Sequence, residues 1–129
     1  MLRLIGGIIA GVVVWIVAVT VLNLGLRYSW PAYHAVEQAL TFTLPMMIAR
    51  LTESGISSIV SGWASAAIAR NRTAALWSGI VLLLPFAYFH STIWNKFPVW
   101  YHLTFFVSLV VLSVLGGMLA GRRGAAQPA

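Results

Sequence analysis

Long runs without charge alternate with short polar connections along the chain. Three runs, of 23, 23 and 25 residues, contain no Lys, Arg, Asp or Glu: residues 4–26, 73–95 and 97–121. At a helical rise of about 1.5 Å per residue, each run exceeds the roughly 20 residues needed to cross a hydrocarbon layer about 30 Å thick. The pattern therefore predicts three transmembrane helices, over residues 4–24, 73–94 and 99–121.

A fourth, more polar helix is predicted between the first two of these spans. Only 16 uncharged residues, 54–69, separate Glu53 from Arg70, which corresponds to about 24 Å of helix. Because this length is too short to cross the layer, we expect the helix to extend through Glu53 to about Arg50. Both charges would then lie near the membrane boundary opposite Arg70. The predicted fold class is an all-α membrane protein, a four-transmembrane-helix bundle.

The connection between the first two helices is the only long one. Ser29-Trp30-Pro31 resembles a helix start with Pro in the first turn, which predicts a short interfacial helix in this first outer loop. The apolar residues 38–49, with Pro45 in their middle, are compatible with an interfacial, a re-entrant or a kinked helical course. We expect an interfacial helix that bends into the second span.

Composition supports a membrane protein and limits its domain organisation. Of 129 residues, 60% are hydrophobic and 8% are charged, with a mean hydropathy of +0.91, whereas soluble domains carry about 25% charged residues. Four helices use nearly the whole chain, so we expect a single transmembrane domain over residues 1–123 and a disordered tail over 124–129. The absence of cysteine excludes disulfides, thiol redox chemistry and iron–sulfur ligation.

The positive charges predict the orientation of the helices. Five lie on one side of the predicted spans and three on the other: Arg3, Arg70, Arg72, Arg122 and Arg123 against Arg27, Arg50 and Lys96. By the positive-inside rule, this excess predicts cytoplasmic termini in a multi-pass protein of a bacterial inner membrane. Because the cations cluster beside apolar spans, the net charge of +6 is interpreted as a topology signal and not as a nucleic-acid-binding surface.

Small residues recur at every fourth position of the second predicted helix, a spacing that places them on one face. In lipid, helices associate through close van der Waals contact and interhelical hydrogen bonds, which such a face favours. The first and last helices carry matching small residues. The predicted packing residues are Gly7, Gly11, Ser54, Ser58, Gly62, Ala66, Ser113, Gly117 and Gly121. They are compatible with packing inside one chain or with a seam between two copies.

Two charged residues and two histidines form a candidate polar site. Arg50 and Glu53 are spaced i, i+3 and share a helix face, which allows them to pair and lowers the cost of each charge near lipid. His90 and His102 fall at matched depths on two antiparallel helices, about 8 Å below the outer boundary and level with Glu53. Proton binding, a cationic ligand or a metal would use such groups, and a structural role at the end of the helix would also account for them.

No motif identifies a catalytic or metal centre. The histidines lack the His-x-x-x-His or Glu-x-x-His spacing of a metal-binding helix. The glycines lie inside apolar helices and not in a phosphate-binding loop or a nucleophile elbow. We therefore predict no metal, no cofactor and no catalytic residue.

One short segment resembles a known family. Leu76-Trp77-Ser78-Gly79-Ile80 is similar to the tryptophan-glycine segment in the third helix of the small multidrug resistance transporters, which the chain also resembles in length and in its four spans. The defining acidic residue of that family lies within the first helix, where this chain has none. The transport activity of the family is therefore not carried over.

Three functional hypotheses follow. The first is a non-enzymatic inner-membrane protein that acts by helix packing, as a homo-oligomer or as an accessory subunit of a membrane complex, with the lipid bilayer and a membrane-protein partner as its contacts. The second is a small transporter or channel that uses Glu53, with Arg50, as a cation or proton site. The third is a metal, haem or quinone site near Glu53, His90 and His102.

Overall fold

The structure, a computed structural model, describes the backbone of residues 1–126 and the side chains of residues 1–121. This part of the chain contains helices and no strand. Its helices are α1 (Leu2–Ser29), α2 (Pro31–Val36), α3 (Leu44–Ala69), α4 (Thr73–Thr92) and α5 (Val99–Ala126), with a 3-10 turn at Trp94–Lys96. The prediction of an all-α fold is confirmed.

Three of the four long helices are long and apolar enough to cross a membrane, and they coincide with the three charge-free runs. They are α1, α4 and, over Val99–Gly121, α5. α3 is comparably long at 26 residues, but Arg50, Glu53 and its serines lower its hydropathy. Three apolar helices of this length indicate a helical membrane protein.

The connection between α1 and α3 contains the short helix that the sequence predicts. α2 begins with Pro31 in its first turn, where the missing N–H costs no hydrogen bond. The expected interfacial helix over residues 38–49 that bends into the second span is wrong, because residues 37–43 are not helical and α3 begins at Leu44, with Pro45 in its first turn as well. A proline at a helix start leaves the following backbone hydrogen bonds intact, so α3 has no need to kink there. Residues 37–43 join α2 to α3.

A tight turn over residues 70–72 joins α3 to α4. Arg70 adopts the left-handed conformation with φ of 54°, which ends α3. The backbone N–H of Asn71 donates to the carbonyl of Ala66 at 3.2 Å, and the Asn71 Oδ1 atom accepts from the N–H of Thr73 at 2.9 Å. We call this end of the bundle the Asn71 end, and the opposite end, formed by α2 and the Trp94–Lys96 turn, the Trp94 end.

α3 lies between α1 and α5 and makes its most extensive contacts with them. Contacts of Gly7 with Ala69 and of Trp15 with Ser58 show that α1 and α3 are antiparallel. α4 is antiparallel to α5, so that the four long helices form one bundle in which α3 is central.

The distribution of polarity is inverted relative to a soluble domain. Many large apolar side chains of α1 and α5 are exposed, among them Ile9, Val17 and Val107. Serines of α3 are instead fully buried, among them Ser57 and Ser61. Such an arrangement exposes hydrocarbon to the surroundings and places polar groups inside, as expected for helices solvated by lipid.

The C-terminal end of α5 extends beyond the predicted span. The helix continues to Ala126, three residues into the segment 124–129 for which a disordered tail is expected. Residues 127–129 lie outside the described part of the chain. Pro85 lies inside α4, which is helical on both sides of it.

Candidate functional site

The predicted packing residues lie where the four long helices touch. A Cβ atom added at Gly7 would lie 2.6 Å from the carbonyl oxygen of Ser65, and one added at Gly62 would overlap the carbonyl of Ser113. Gly11 faces α3, Gly117 faces α4, and Gly121 faces the Arg72 side chain. The other predicted packing residues of α3 are buried: Ser54, Ser58 and Ala66. Because these contacts are made within one chain, the small-residue rows do not form a free surface in the described structure.

Hydrogen bonds between helices reinforce this packing. The Ser61 hydroxyl donates to the carbonyl of Gly11 at 2.7 Å, and the Trp15 Nε1–H donates to the Ser58 Oγ atom at 3.0 Å. Both bonds join α1 to α3 in the interior. They satisfy polar atoms that would otherwise be costly in an apolar medium.

A cavity of about 310 Å³ lies above these contacts, toward the Trp94 end. All four long helices contribute to its wall, and Glu37, which follows α2, contributes as well. The cavity contains three of the four predicted polar residues: Arg50, Glu53 and His90. Its apolar wall is largely aromatic, with Trp15, Phe86, Tyr101 and Phe105.

Glu53 is the least satisfied charged residue in this cavity. It is 7% exposed, and its Oε2 atom has no hydrogen-bond partner among the described residues. The expected ion pair with Arg50 is wrong, since no such pair lies within 4.0 Å in the described part of the chain. The i, i+3 spacing places the two side chains on one face, but other partners hold the guanidinium.

Those partners are aromatic residues from three different segments. Arg50 donates from Nη1 to the Tyr33 hydroxyl at 2.8 Å and from Nε to the Tyr101 hydroxyl at 3.2 Å. Its guanidinium carbon also lies 4.7 Å from the centroid of the Phe42 ring, a cation–π distance. Arg50 is therefore bound in place, and the Glu53 carboxyl keeps an unused oxygen.

The hydrogen-bond chain continues from Tyr33 to the N-terminal helix. The Tyr33 hydroxyl donates to Asn23 Oδ1 at 2.8 Å, and Asn23 Nδ2 donates to Glu37 Oε1 at 2.9 Å. Arg27 completes the chain with two bonds to Glu37, at 2.7 and 2.9 Å. We call these five residues, Arg50, Tyr33, Asn23, Glu37 and Arg27, the Tyr33 network.

The Tyr33 network changes the pKa of two groups outside the long apolar helices. Burial raises the pKa of Tyr33 by more than the positive charge of Arg50 lowers it. Burial also raises the pKa of Glu37, but the hydrogen bonds from Arg27 and Asn23, with the Arg27 charge, bring the net value below the ordinary one. The Tyr33 hydroxyl thus stays protonated near neutral pH, while Glu37 is ionised.

Sequence reasoning did not identify Asn23, Tyr33 or Tyr101 as site residues. One signal was available, because Asn23 is the only carboxamide in the charge-free run 4–26. A lone polar amide inside an apolar helix requires a partner in the protein. The tyrosines carry no comparable signal, since aromatic residues are common at membrane interfaces.

His90 and His102 are in direct contact. Their Nδ1 atoms lie 2.7 Å apart, and His102 Nε2 lies 3.1 Å from the carbonyl oxygen of Trp94. The Trp94 ring stacks on His102 at 4.3 Å between centroids, and Phe105 stacks on His90 at 4.5 Å. Two imidazole nitrogens that bind one tetrahedral metal ion lie about 3.3 Å apart, because each bond is about 2.0–2.1 Å long. The facing Nδ1 atoms are too close to hold one.

No group of three or more His, Cys, Asp or Glu residues in the described part of the chain is placed to hold a metal ion.

Comparison with protein-family models, curated proteins and solved structures finds no match to this chain. In the cavity, a buried carboxyl, an imidazole and aromatic rings surround a space large enough for a small ligand.

Proposed function

We propose that this protein is a small membrane transporter for monovalent cations, in which Glu53 binds either a proton or the transported cation. The observation that carries this proposal is the position of Glu53, which is almost fully buried, has one oxygen without a hydrogen-bond partner among the described residues, and lines the cavity between the four long helices. An ionisable group inside an apolar helix bundle is costly to maintain, and such groups commonly mark the path of an ion or substrate.

The proposed transport step is an exchange at one carboxyl group. The protonated Glu53 releases its proton to water, and the resulting carboxylate pairs with a cation that enters the cavity. On the return step the cation leaves and a proton takes its place. Arg50 takes part only by its charge, because Tyr33, Tyr101 and Phe42 hold its guanidinium.

We further propose four membrane spans with cytoplasmic termini. The support for α3 as a span is its length of 26 residues and its position between two apolar helices, which shield its polar side chains from lipid. The support for the orientation is the distribution of Lys and Arg, since five of the eight fall at the Asn71 end or at the termini beside it. With this orientation in a bacterial inner membrane, the cavity opens toward the outer half of the membrane.

Assembly into a homo-oligomer or a larger complex stays a prediction with less support. The small-residue rows that motivate it are covered by contacts inside one chain. Size-exclusion chromatography with light scattering, run on the same preparation, measures whether the purified protein contains one copy or more.

The proposed function is tested with proteoliposomes that contain the pH indicator pyranine and an acidic interior. Sodium, tetramethylammonium or acetamidinium, three cations that keep their charge at neutral pH, is added outside. At least one of them should drive proton efflux faster than in protein-free liposomes. Glu53→Gln should lower the rate to that of protein-free liposomes, because its amide cannot exchange a proton.

Ser65→Ala is the matched control for this experiment. Ser65 is also buried, and its Oγ atom also has no hydrogen-bond partner in the part of the chain that the structure describes. It lies at the contact with Gly7 and Gly11, outside the cavity. This variant should transport at the wild-type rate. The proposal is wrong if no cation drives efflux in the wild type, or if a folded Glu53→Gln protein keeps the wild-type rate.

A further inference from the structure

We propose that the cavity selects an organic cation that carries N–H donors, namely a protonated primary amine attached to a flat apolar group. This inference names the substrate class of the Glu53 site and in that sense rests on the proposed function. Its basis is independent of transport, because it follows from the direction of the hydrogen bonds that line the cavity.

The carbonyl of Trp94 sets the direction of these bonds. A carbonyl oxygen only accepts, so the Nε2 atom of His102, 3.1 Å away, must carry the proton. In an uncharged ring the Nδ1 atom of His102 is then an acceptor, and the contact at 2.7 Å requires His90 Nδ1 to donate. His90 is left with an acceptor lone pair on Nε2.

The other free polar atoms of the cavity can also accept. Glu53 Oε2 and Ser54 Oγ are buried and have no hydrogen-bond partner in the described part of the chain. His90, Glu53 and Ser54 are each more than nine-tenths buried, at 4%, 7% and 3% exposure, and all three line the same cavity. A ligand that satisfies a carboxylate, an imidazole lone pair and a hydroxyl must bring several donors, and a primary ammonium group brings three.

The aromatic wall favours a cation with a flat apolar part. Trp15 lies 4.8 Å from Phe86 between ring centroids, and Phe86 lies 5.2 Å from Phe105, so that three rings form one continuous surface. Aromatic faces attract cations and pack against flat apolar groups. The volume of about 310 Å³ is at the lower end of the range for ligand pockets, which limits the occupant to a small molecule.

The positive charge of Arg50 favours an anionic ligand, which is the alternative to an ammonium ligand in this cavity. Its guanidinium lines the same cavity, but two of its five N–H donors already bond the tyrosine hydroxyls, and its face lies against Phe42. The Glu53 carboxylate and the His90 lone pair only accept, so a carboxylate ligand would leave both unsatisfied and would add a second negative charge beside Glu53. We therefore favour the ammonium ligand and make the anion an outcome of the test.

The test is isothermal titration calorimetry of the full chain in detergent with three ligands that share a phenylethyl group. These are 2-phenylethylammonium, its trimethylammonium derivative, which keeps the charge but has no N–H donor, and 3-phenylpropionate, which is an anion. The primary ammonium should bind at least tenfold more tightly than either of the others. Equal binding of the two cations, or tighter binding of the anion, overturns the proposal.

Variants separate hydrogen bonding from a steric effect of the three methyl groups. His90→Phe keeps the stacking surface against Phe105 but removes the acceptor, so the preference for the primary over the trimethyl ligand should fall at least threefold. Glu53→Gln should weaken the binding of both cations at least tenfold, because the negative charge of the carboxylate is lost. Ser65→Ala, outside the cavity, should bind like the wild type. An unchanged preference in a folded His90→Phe protein overturns the assigned role of His90.

The binding and transport experiments fail in distinguishable ways. If Glu53→Gln abolishes cation-driven proton efflux but 2-phenylethylammonium does not bind preferentially, the transport function stands and the ligand class is wrong. If 2-phenylethylammonium binds as expected but no cation drives efflux, the ligand site stands and the transport function is wrong.

Discussion

The Nη1 atom of Arg50 lies 2.8 Å from the hydroxyl of Tyr33, and this contact joins α3 to α2 at the Trp94 end of the bundle. The same hydroxyl donates to Asn23 in α1 at 2.8 Å, so one phenol oxygen connects three helices. Its burial raises the pKa of Tyr33, which keeps the donated proton in place. The connection between α1 and α3 is thereby fixed beside the cavity, although α2 has only six residues.

Tyr33→Phe should destabilise the protein by about 1–3 kcal/mol, because Asn23 Oδ1 and one donor of Arg50 lose their partner in a buried setting. The free energy of unfolding, measured by circular dichroism in a detergent titration, checks this value. Tyr28→Phe is the matched control, since Tyr28 is 86% exposed and its hydroxyl should be dispensable. Equal stability of the two variants would show that the Tyr33 network does not contribute to folding.

The Glu37 carboxylate should make stability depend on pH in the acid range. Because the pKa of Glu37 is lowered in the folded state, its contribution is complete above the ordinary carboxyl pKa of about 4.3 and is lost as the pH falls through the lower folded value. Glu37→Gln should therefore be less stable than the wild type at pH 7, with a difference that shrinks below about pH 4.

Thermal unfolding of both proteins from pH 7 to pH 3 measures this difference. Its dependence on pH separates the charge of Glu37 from the shape of the side chain, which glutamine preserves. A difference that stays constant over the whole range would mean that the bonds from Arg27 and Asn23 act without the carboxylate charge.

Gly62 should be intolerant of any side chain. A Cβ atom at this position would overlap the backbone carbonyl of Ser113, so α3 and α5 would have to separate. Gly62→Ala should cost at least the roughly 1–3 kcal/mol typical of overpacking. Gly6→Ala, also within a helix but with no atom of the described residues within 4 Å of the added atom, should be neutral or stabilising by up to about 1 kcal/mol.

The free energy of unfolding of both glycine variants is measured in a detergent titration. The close approach of α3 and α5 at Gly62 would be refuted if Gly62→Ala were as stable as Gly6→Ala. Size-exclusion chromatography of the same samples shows whether any loss of stability is accompanied by aggregation.

Ser58 should contribute more to stability than its neighbour Ser57. Both are fully buried and both donate to the carbonyl four residues earlier, at 2.8 and 2.7 Å, but only Ser58 also accepts the Trp15 indole N–H. Ser58→Ala should cost about 1–3 kcal/mol more than Ser57→Ala, because it leaves a buried donor unpaired.

Nitrogen-15 NMR of the indole groups in detergent gives an independent readout of this bond. The Trp15 signal, assigned by its disappearance in Trp15→Phe, should move to higher field in Ser58→Ala and stay in place in Ser57→Ala. Identical spectra of the two serine variants would show that Ser58 does not accept from Trp15.

The sequence by itself determined the helices, because the signals for them are local. A run of more than 20 residues without charge, such as 4–26 or 97–121, is sufficient to predict a long apolar helix. Counting residues along antiparallel helices also placed His90 and His102 at one depth, and their contact needs only that α4 and α5 be neighbours. The short turn between those helices makes them so.

Only the tertiary structure decided which polar groups are paired. Spacing alone predicts that Arg50 pairs with Glu53, since both lie on one face of a helix. In the bundle, the rotation of α3 and the positions of Tyr33, Phe42 and Tyr101 bring other partners to the guanidinium. These residues are separated from Arg50 by up to 51 positions in the sequence, so no local sequence pattern predicts that they contact it. The Oε2 atom of Glu53, which has no hydrogen-bond partner among the described residues and from which the proposed function follows, is a consequence of that packing.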